Sequence, residues 1–404
     1  MPDAAKGLVG VTDDRFIRKM AAFSLLEKAC DQLEWTHTQD ESARQQYGAI
    51  GNWLGSSALP LLTCTRIYPQ GSVAHGTTVR PIGKNEYDVD LIAFLTGATK
   101  WTSPAFVKQI IGDRLRANGL YRDKLEEMPR CWRINYANNF HLDITPSIRN
   151  PDCPNGGELV PDKNLGEWKP SNPQGFCDRF AARALLRPVR PLAKRSALAA
   201  AADAEIVPFP TKATVRGVLR RAVQLLKRHR DIDFQTLDTS LAPLSIIITT
   251  LASKAYEYCV TSFVYENDFD LLLDTVRYMP HFIERRVIFG ELHYFIWNET
   301  TQGENFAEKW NKERSRADQF YRWHSVALHE FTRLLEFEGL DAMASELGGY
   351  LGNDLARATV KELTDTVSFA RRSGTLVAGA SGLAAASATT ARAAPVLANT
   401  FYGN

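Results

Sequence analysis

The chain has no pair of cysteines spaced C-x-x-C, although six cysteines (Cys30, Cys64, Cys131, Cys153, Cys177 and Cys259) are scattered along its 404 residues. That absence argues against a zinc ribbon and a redox dithiol. The eight histidines include no H-E-x-x-H, and His324 and His329 lie five apart, off register for one helix face. Any metal chemistry must therefore come from oxygen ligands. No run of about eighteen apolar residues is present to span a bilayer. The nearest stretch, 374–397, is mostly Ala, Gly, Ser and Thr with Arg392 inside it. MPDAAKGLVG at the start has no apolar core of signal-peptide length, so a reducing, cytoplasmic setting is expected. Two nucleotide signatures are also missing. Neither G-x-x-x-x-G-K-[ST] nor G-x-G-x-x-G with its following acid occurs, which disfavours a P-loop ATPase and a Rossmann dehydrogenase.

What is present suits a soluble protein with a sizeable core, 45% hydrophobic and 23% charged, and long enough for two lobes. The net charge of +2 hides an uneven distribution. Between Arg179 and Arg230 stand thirteen Lys or Arg against two acids, Asp203 and Glu205, a local charge of about +11. Such a block points to an anionic ligand, either nucleotide phosphates or a nucleic-acid backbone, unless it is simply a solvated face.

Helical spacing and a Thr12-Asp13 cap predict a helix to about Glu34, and a second helix is expected over Glu41–Leu54. Short β-forming runs follow at Thr63–Tyr68, Tyr87–Leu95, Arg133–Tyr136 and Phe140–Ile144, with a helix over Ser103–Asn118 between them. Five prolines and four glycines make Asn150–Gly175 read as irregular. Beyond Phe176 the pattern turns helical, over Thr211–Arg230, Pro243–Cys259, Phe269–Met279, Asn305–Phe337, Leu340–Leu347 and Thr359–Arg371. The fold class expected is α+β, with lobes at 1–205 and 206–372. A low-complexity tail over 373–404 looks too poor in large apolar groups to fold. Its tip, Phe401-Tyr402-Gly403-Asn404, resembles a recognition handle more than a spacer, the alternative being a frayed terminus.

The informative chemistry lies in Gln70-Gly71-Ser72 and in the run Glu86-Tyr-Asp-Val-Asp-Leu. Asp88 and Asp90, two apart on a strand, share one face about 7 Å apart, while Val89 and Leu91 face the other way. Like charges so placed repel unless cations lie between them. A third acid, Asp143, arrives on the separate run Phe140-His-Leu-Asp, where a lone carboxylate is costly to bury. Three carboxylates from two strands suit a two-metal phosphoryl-transfer site holding paired Mg²⁺ or Mn²⁺. Asp143 would then be a metal ligand or the general base. Gly71 permits a tight turn, and the amides with the Ser72 hydroxyl suit β- and γ-phosphates. On the helix to Arg230, Arg216, Arg220 and Lys227 flank an apolar stripe, and Lys227 is the expected triphosphate clamp. Ser245 is positioned to add a hydroxyl.

Q-G-S-V-A-H-G-T-T-V-R-P, then E-Y-D-V-D-L, then H-L-D-I-T-P resemble the polymerase-β-like nucleotidyltransferases. More narrowly they resemble the bacterial CD-NTases, relatives of cyclic GMP-AMP synthase. The segments around Lys227 and Ser245 are similar to that family's phosphate-binding Lys and Ser, and the likeness covers most of residues 60–260. The resemblance implies a bilobal fold, with a mixed sheet, a long N-terminal helix and a helical lobe closing on the donor nucleotide. It also implies synthesis of a cyclic di- or trinucleotide second messenger from ATP and other NTPs, GTP foremost, in antiphage signalling with a separate effector. Members of one operon type carry a C-terminus conjugated by a ubiquitin-transfer-like partner, and Thr400–Asn404 is similar to such tails. Two rivals remain: a template-independent RNA nucleotidyltransferase of the terminal adenylyl or CCA-adding type, and a non-catalytic nucleotide-binding scaffold.

Overall fold

The computed structural model describes residues 14–63, 65–83, 87–136, 140–162, 164–191, 217–379, 382–385 and 394–395. Its first two elements are long helices, α1 (Asp14–Leu33) and α2 (His37–Gly55). Thr36 starts α2 with a reciprocal capping box, its hydroxyl taking the Gln39 N–H while the Gln39 side chain takes the Thr36 N–H.

A seven-stranded mixed sheet follows. Strand β1 (Arg66–Pro69) pairs antiparallel with β2 (Tyr87–Phe94), and β2 pairs parallel with β5 (Phe140–Arg149). Antiparallel β4 (Trp132–Tyr136) and β3 (Leu125–Glu127) complete that side. Strands β6 (Glu158–Pro161) and β7 (Trp168–Ser171) extend the sheet from the far end of β5. These last two strands lie in the segment expected to be irregular. The pairing of β6 with β5 and of β7 with β6 overrides a Pro- and Gly-rich composition, as tertiary pairing can for four-residue strands. Helix α3 (Gly71–His75) is a single turn directly after β1. Helices α4 (Pro104–Arg116) and α5 (Gly119–Arg122) connect β2 to β3. Trp132 closes the sheet core against α4, where its ring fills the space beside Gly112.

After α6 (Pro173–Leu185) the chain is mainly helical: α7 (Val218–Asp233), α8 (Ser245–Ser262), α9 (Asp268–Tyr278), α10 (Glu308–Lys312), α11 (Ser315–Arg333), α12 (Leu340–Leu351) and α13 (Asn353–Arg372). One exception is the hairpin β8 (Glu284–Ile288) and β9 (Glu291–Phe295), which sequence periodicity had not marked. The single helix expected over Asn305–Phe337 is broken between α10 and α11 at Glu313 and Arg314. Short strands at Leu376–Gly379, Gly382–Ala385 and Ala394–Pro395 pair with one another, so part of the expected unstructured tail carries backbone order. Phe401, Tyr402, Gly403 and Asn404 lie outside the described residues.

Two apolar clusters organise the packing. One joins α2 and α4 to the sheet through Ile50, Leu54, Leu91, Ile111, Trp132 and Leu142. The other gathers the later helices and also takes in Leu25, Leu26 and Leu33 of α1 and Phe180 of α6. Packing thus places α1 and α6 with the helical layer, although they precede it in the chain. Each fully buried Leu of α1 contributes about 1.5–3 kcal/mol, which ties α1 to the helical layer. Among the described residues no helix is long and apolar enough to cross a membrane.

Candidate active site

Alternation on β2 exposes Asp88 and leaves Asp90 partly covered, while Tyr87, Val89 and Leu91 are buried on the opposite face. The parallel register sets Asp90 directly beside Asp143 and Asp88 beside His141. Neighbouring strands stand about 4.8 Å apart, so all three carboxylates share one patch of one sheet face. Val89, Leu91, Leu142 and Ile144 go to the core beneath.

Arg133, one strand further on, stands in register with Asp143. Its guanidinium donates two hydrogen bonds to the Asp143 carboxylate, at 2.7 and 2.8 Å, and lies 3.7 Å from Asp88 Oδ1. Sequence reasoning gave Arg133 no role. The one available signal was a cation on a strand whose alternate residues are buried. Among the described residues Asp90 has no such ion-pair partner; burial pushes its carboxyl up to about 7, with Asp143 and Asp88 adding their repulsion. Carboxylates held together at that electrostatic cost are chemically suited to divalent cations. Among the described residues no trio of His, Cys, Asp or Glu side chains is drawn close enough to hold a metal ion as it stands. Arg133 instead occupies both oxygens of the Asp143 carboxylate.

The turn ahead of β2 is welded to these acids. The Gln70 N–H donates to the Asp90 carbonyl at 2.9 Å. Gly71 has φ +63°, and a Cβ there would stand 2.6 Å from Asp90 Oδ2, so glycine is required both by backbone and by space. Gly76, at φ +64°, ends the helical turn, and the Thr77 N–H closes back onto the Ser72 carbonyl at 2.9 Å.

Helix α7 grips the segment that follows. Arg220 donates to the His75 carbonyl at 3.0 Å and Gln224 to the Thr78 carbonyl at 3.0 Å. Lys227 donates to the Thr77 carbonyl at 3.2 Å and to its hydroxyl at 3.1 Å. Lys227 is only 6% exposed, and burial, with Arg230 nearby, lowers its ammonium to about 7. A buried lysine satisfied only by neutral oxygens is poised to be recharged by an arriving polyphosphate. Ser245 opens α8 and accepts a hydrogen bond from Arg230 at 2.9 Å.

A cleft of about 620 Å³ brings Ser72, Asp88, Lys227 and Ser245 together, with Trp35, Tyr87 and Phe234 on its walls. Gln70, Gly71, Asp90 and Asp143 do not line it; Gln70 and Gly71 directly precede Ser72, and Asp90 and Asp143 stand in register on the sheet face that carries Asp88. Thr77 lines the cleft too, and Arg230, Asp231 and Gln235 also line it and were missed from sequence. Among the described residues, several cations of the basic block are paired within the structure. Arg179 and Arg183 pair with Glu257, Arg190 with Asp268, and Arg221 with Asp31 and Glu34. Residues 192–216, Arg216 among them, lie outside the described residues.

Comparison with known proteins agrees with this architecture. The family of Second Messenger Oligonucleotide or Dinucleotide Synthetase domains matches residues 20–183. A c-di-GMP synthase of Roseivirga ehrenbergii is 29% identical over 395 residues, 94% of this chain and 96% of the relative. The cyclic dinucleotide synthase CdnG of Bradyrhizobium diazoefficiens is 31% identical over 231 residues, 53% of each chain. The solved structure of that CdnG in complex with GTP superimposes with a TM-score of 0.62 at 20% identity, covering 87% of this chain and all of the other, and so shares the fold. Residues 20–183 thus match the second-messenger oligonucleotide or dinucleotide synthetase family, and the chain as a whole is similar to bacterial cyclic dinucleotide synthases and shares the fold of a CD-NTase.

Proposed function

We propose that the chain joins ATP and GTP into a cyclic di- or trinucleotide, using the Asp88, Asp90 and Asp143 patch with Lys227, Ser72 and Ser245 around one triphosphate. The observation that carries this reading is the single cleft into which Ser72, Asp88, Lys227 and Ser245 converge from both packing layers. The synthase activities of the two relatives, and the GTP in the solved CdnG complex, support nucleoside triphosphates as substrates, GTP in particular.

Lys227 and the two serine hydroxyls bind the β- and γ-phosphates, holding the α-phosphorus above Asp88 and Asp90. Paired Mg²⁺ or Mn²⁺ ions held by the three aspartates would neutralise charge on the phosphates and make the acceptor hydroxyl easier to deprotonate. The ribose hydroxyl of a second nucleotide bonds to the α-phosphorus as the bond to pyrophosphate breaks. Its proton passes to Asp143 or to water, and pyrophosphate leaves with the charge it gains. A second round closes the ring. Trp35, Tyr87 and Phe234 offer apolar surface for bases. The product would serve as a second messenger in antiphage defence, read by a separate effector protein. A ubiquitin-transfer-like partner acting on the C-terminal residues belongs to the same reading.

An RNA-extending enzyme would need exposed cations to follow a backbone. Arg183, Arg190 and Arg221 are instead bound to carboxylates, which favours the small-substrate reading. Incubation with Mg²⁺ and single or paired NTPs, followed by phosphatase treatment and mass spectrometry, is the test. A phosphatase-resistant cyclic product is expected, and exclusively linear products with removable terminal phosphates would sink it.

A further inference from the structure

Beside the catalytic cleft lies a second cavity of about 660 Å³, between α7 and the turn joining α12 to α13. Arg80 and Arg228 meet in its wall, the Arg228 guanidinium donating to the Arg80 carbonyl at 3.2 Å and to the Leu351 carbonyl at 3.0 Å. Arg228 is 8% exposed. Among the described residues neither arginine forms an ion pair, and Arg80 Nε is buried without a hydrogen-bond partner. The Asp354 carboxylate does line the cavity, but it is solvated at the rim and bonded to Arg357 at 2.7 Å. The Arg80 guanidinium donates to the Glu34 carbonyl at 2.9 Å, and its charge adds to burial in lowering the Arg228 side chain's affinity for its proton, against the pull of Asp231; an anion bound beside both arginines would offset that cost. The opposite wall is small, because Gly349 lines the cavity and a Cβ added there would meet no atom within 4 Å.

We propose that this cavity is a second ligand site, taking a small phosphate-bearing anion between Arg80 and Arg228, separate from the triphosphate cleft. It is built to communicate with that cleft. Lys227 holds Thr77 and the adjacent Arg228 holds Arg80, so one short segment spans both sites along α7. Gln235 lines both cavities. Drawing Arg228 toward an anion would loosen its hold on the Arg80 carbonyl and so shift Thr77.

The test uses inorganic phosphate as the probe and the full chain in EDTA, with sodium chloride at equal ionic strength as reference. Phosphate should raise the thermal midpoint of the wild type and of Lys227→Met. Gly349→Phe, which fills the cavity, should lose most of that rise, at least fivefold, while its turnover at saturating NTP stays within twofold of wild type. Arg228→Gln should lose it too; if that variant fails to fold, Gly349→Phe decides alone. Absence of any rise in the wild type overturns the proposal. So does a rise that Gly349→Phe keeps and Lys227→Met loses, since that would place the anion in the catalytic cleft.

Discussion

Replacing Gly71 by alanine tests the junction between the phosphate turn and the acids most directly. At φ +63° an L-residue costs about 1–2 kcal/mol in backbone conformation alone. The added methyl would stand 2.6 Å from Asp90 Oδ2, about 0.8 Å inside ordinary contact. Either the turn or the Asp90 carboxylate must move by most of an ångström. Misplacement on that scale costs about a hundredfold in rate, near 2.7 kcal/mol of transition-state stabilisation. Gly290→Ala is the matched control, with φ +81° and no atom within 4 Å of the new carbon. Both variants should lose similar thermal stability, a few degrees or less in a chain this long. Only Gly71→Ala should lose pyrophosphate release at saturating NTP and Mg²⁺, by about two orders of magnitude. If Gly71→Ala melts like Gly290→Ala and retains more than about a third of wild-type turnover, Asp90 is not where the reaction needs it.

Three further outcomes follow from the same geometry. The Asp90 carboxyl keeps its proton up to about 7 in the folded chain, whereas the unfolded chain releases it near 4. Metal-free stability should therefore fall as pH rises through that window, by at most about 4 kcal/mol, and stay low above it. Denaturant midpoints at pH 5 and pH 8 in EDTA should show this loss in the wild type and a flatter profile in Asp90→Asn; identical profiles would refute the assignment. Arg133→Gln removes the cation that spans Asp143 and Asp88, so the variant should melt lower in EDTA, by about 1–3 kcal/mol, and gain more than the wild type from added Mg²⁺. Equal Mg²⁺ gains would show that the arginine and the cation do not substitute for one another. Lys227→Met should raise KM for NTP about 10–100-fold with a smaller change in kcat, read from steady-state pyrophosphate release. A selective fall in kcat would instead move Lys227 from holding the triphosphate to stabilising the transition state.

Much of the site was legible because it rests on short-range periodicity. The period of two on Tyr87–Phe94 was enough to put Asp88 and Asp90 on one face. Glycine followed by serine before that strand marked the turn, and Lys227 stood out beside an apolar helical stripe. The failures share a cause as well. Strands β6 and β7, the hairpin Glu284–Phe295 and the short pairings beyond Leu376 are held by partners, and their own composition does not announce them. The acids that take up Arg183, Arg190 and Arg221 of the cationic block, Asp31, Glu34, Glu257 and Asp268, lie far away in the chain, while Lys227 and Arg230 of the same block line the cleft. Arg133 looked like any exposed strand cation until β4 was seen beside β5.

Alternation and turn chemistry in the sequence by themselves determined which side chains leave the sheet on the acidic face, and that the turn before it must contain glycine. These are consequences of backbone geometry over a few residues and need no partner. Only the tertiary structure decided that Asp143 stands level with Asp90, that Arg133 occupies Asp143, and that Lys227 reaches Thr77 from another helix. Strand order, register and the seating of α7 depend on burying two apolar clusters together. That free energy belongs to contacts between distant segments, and spacing along the chain does not encode them.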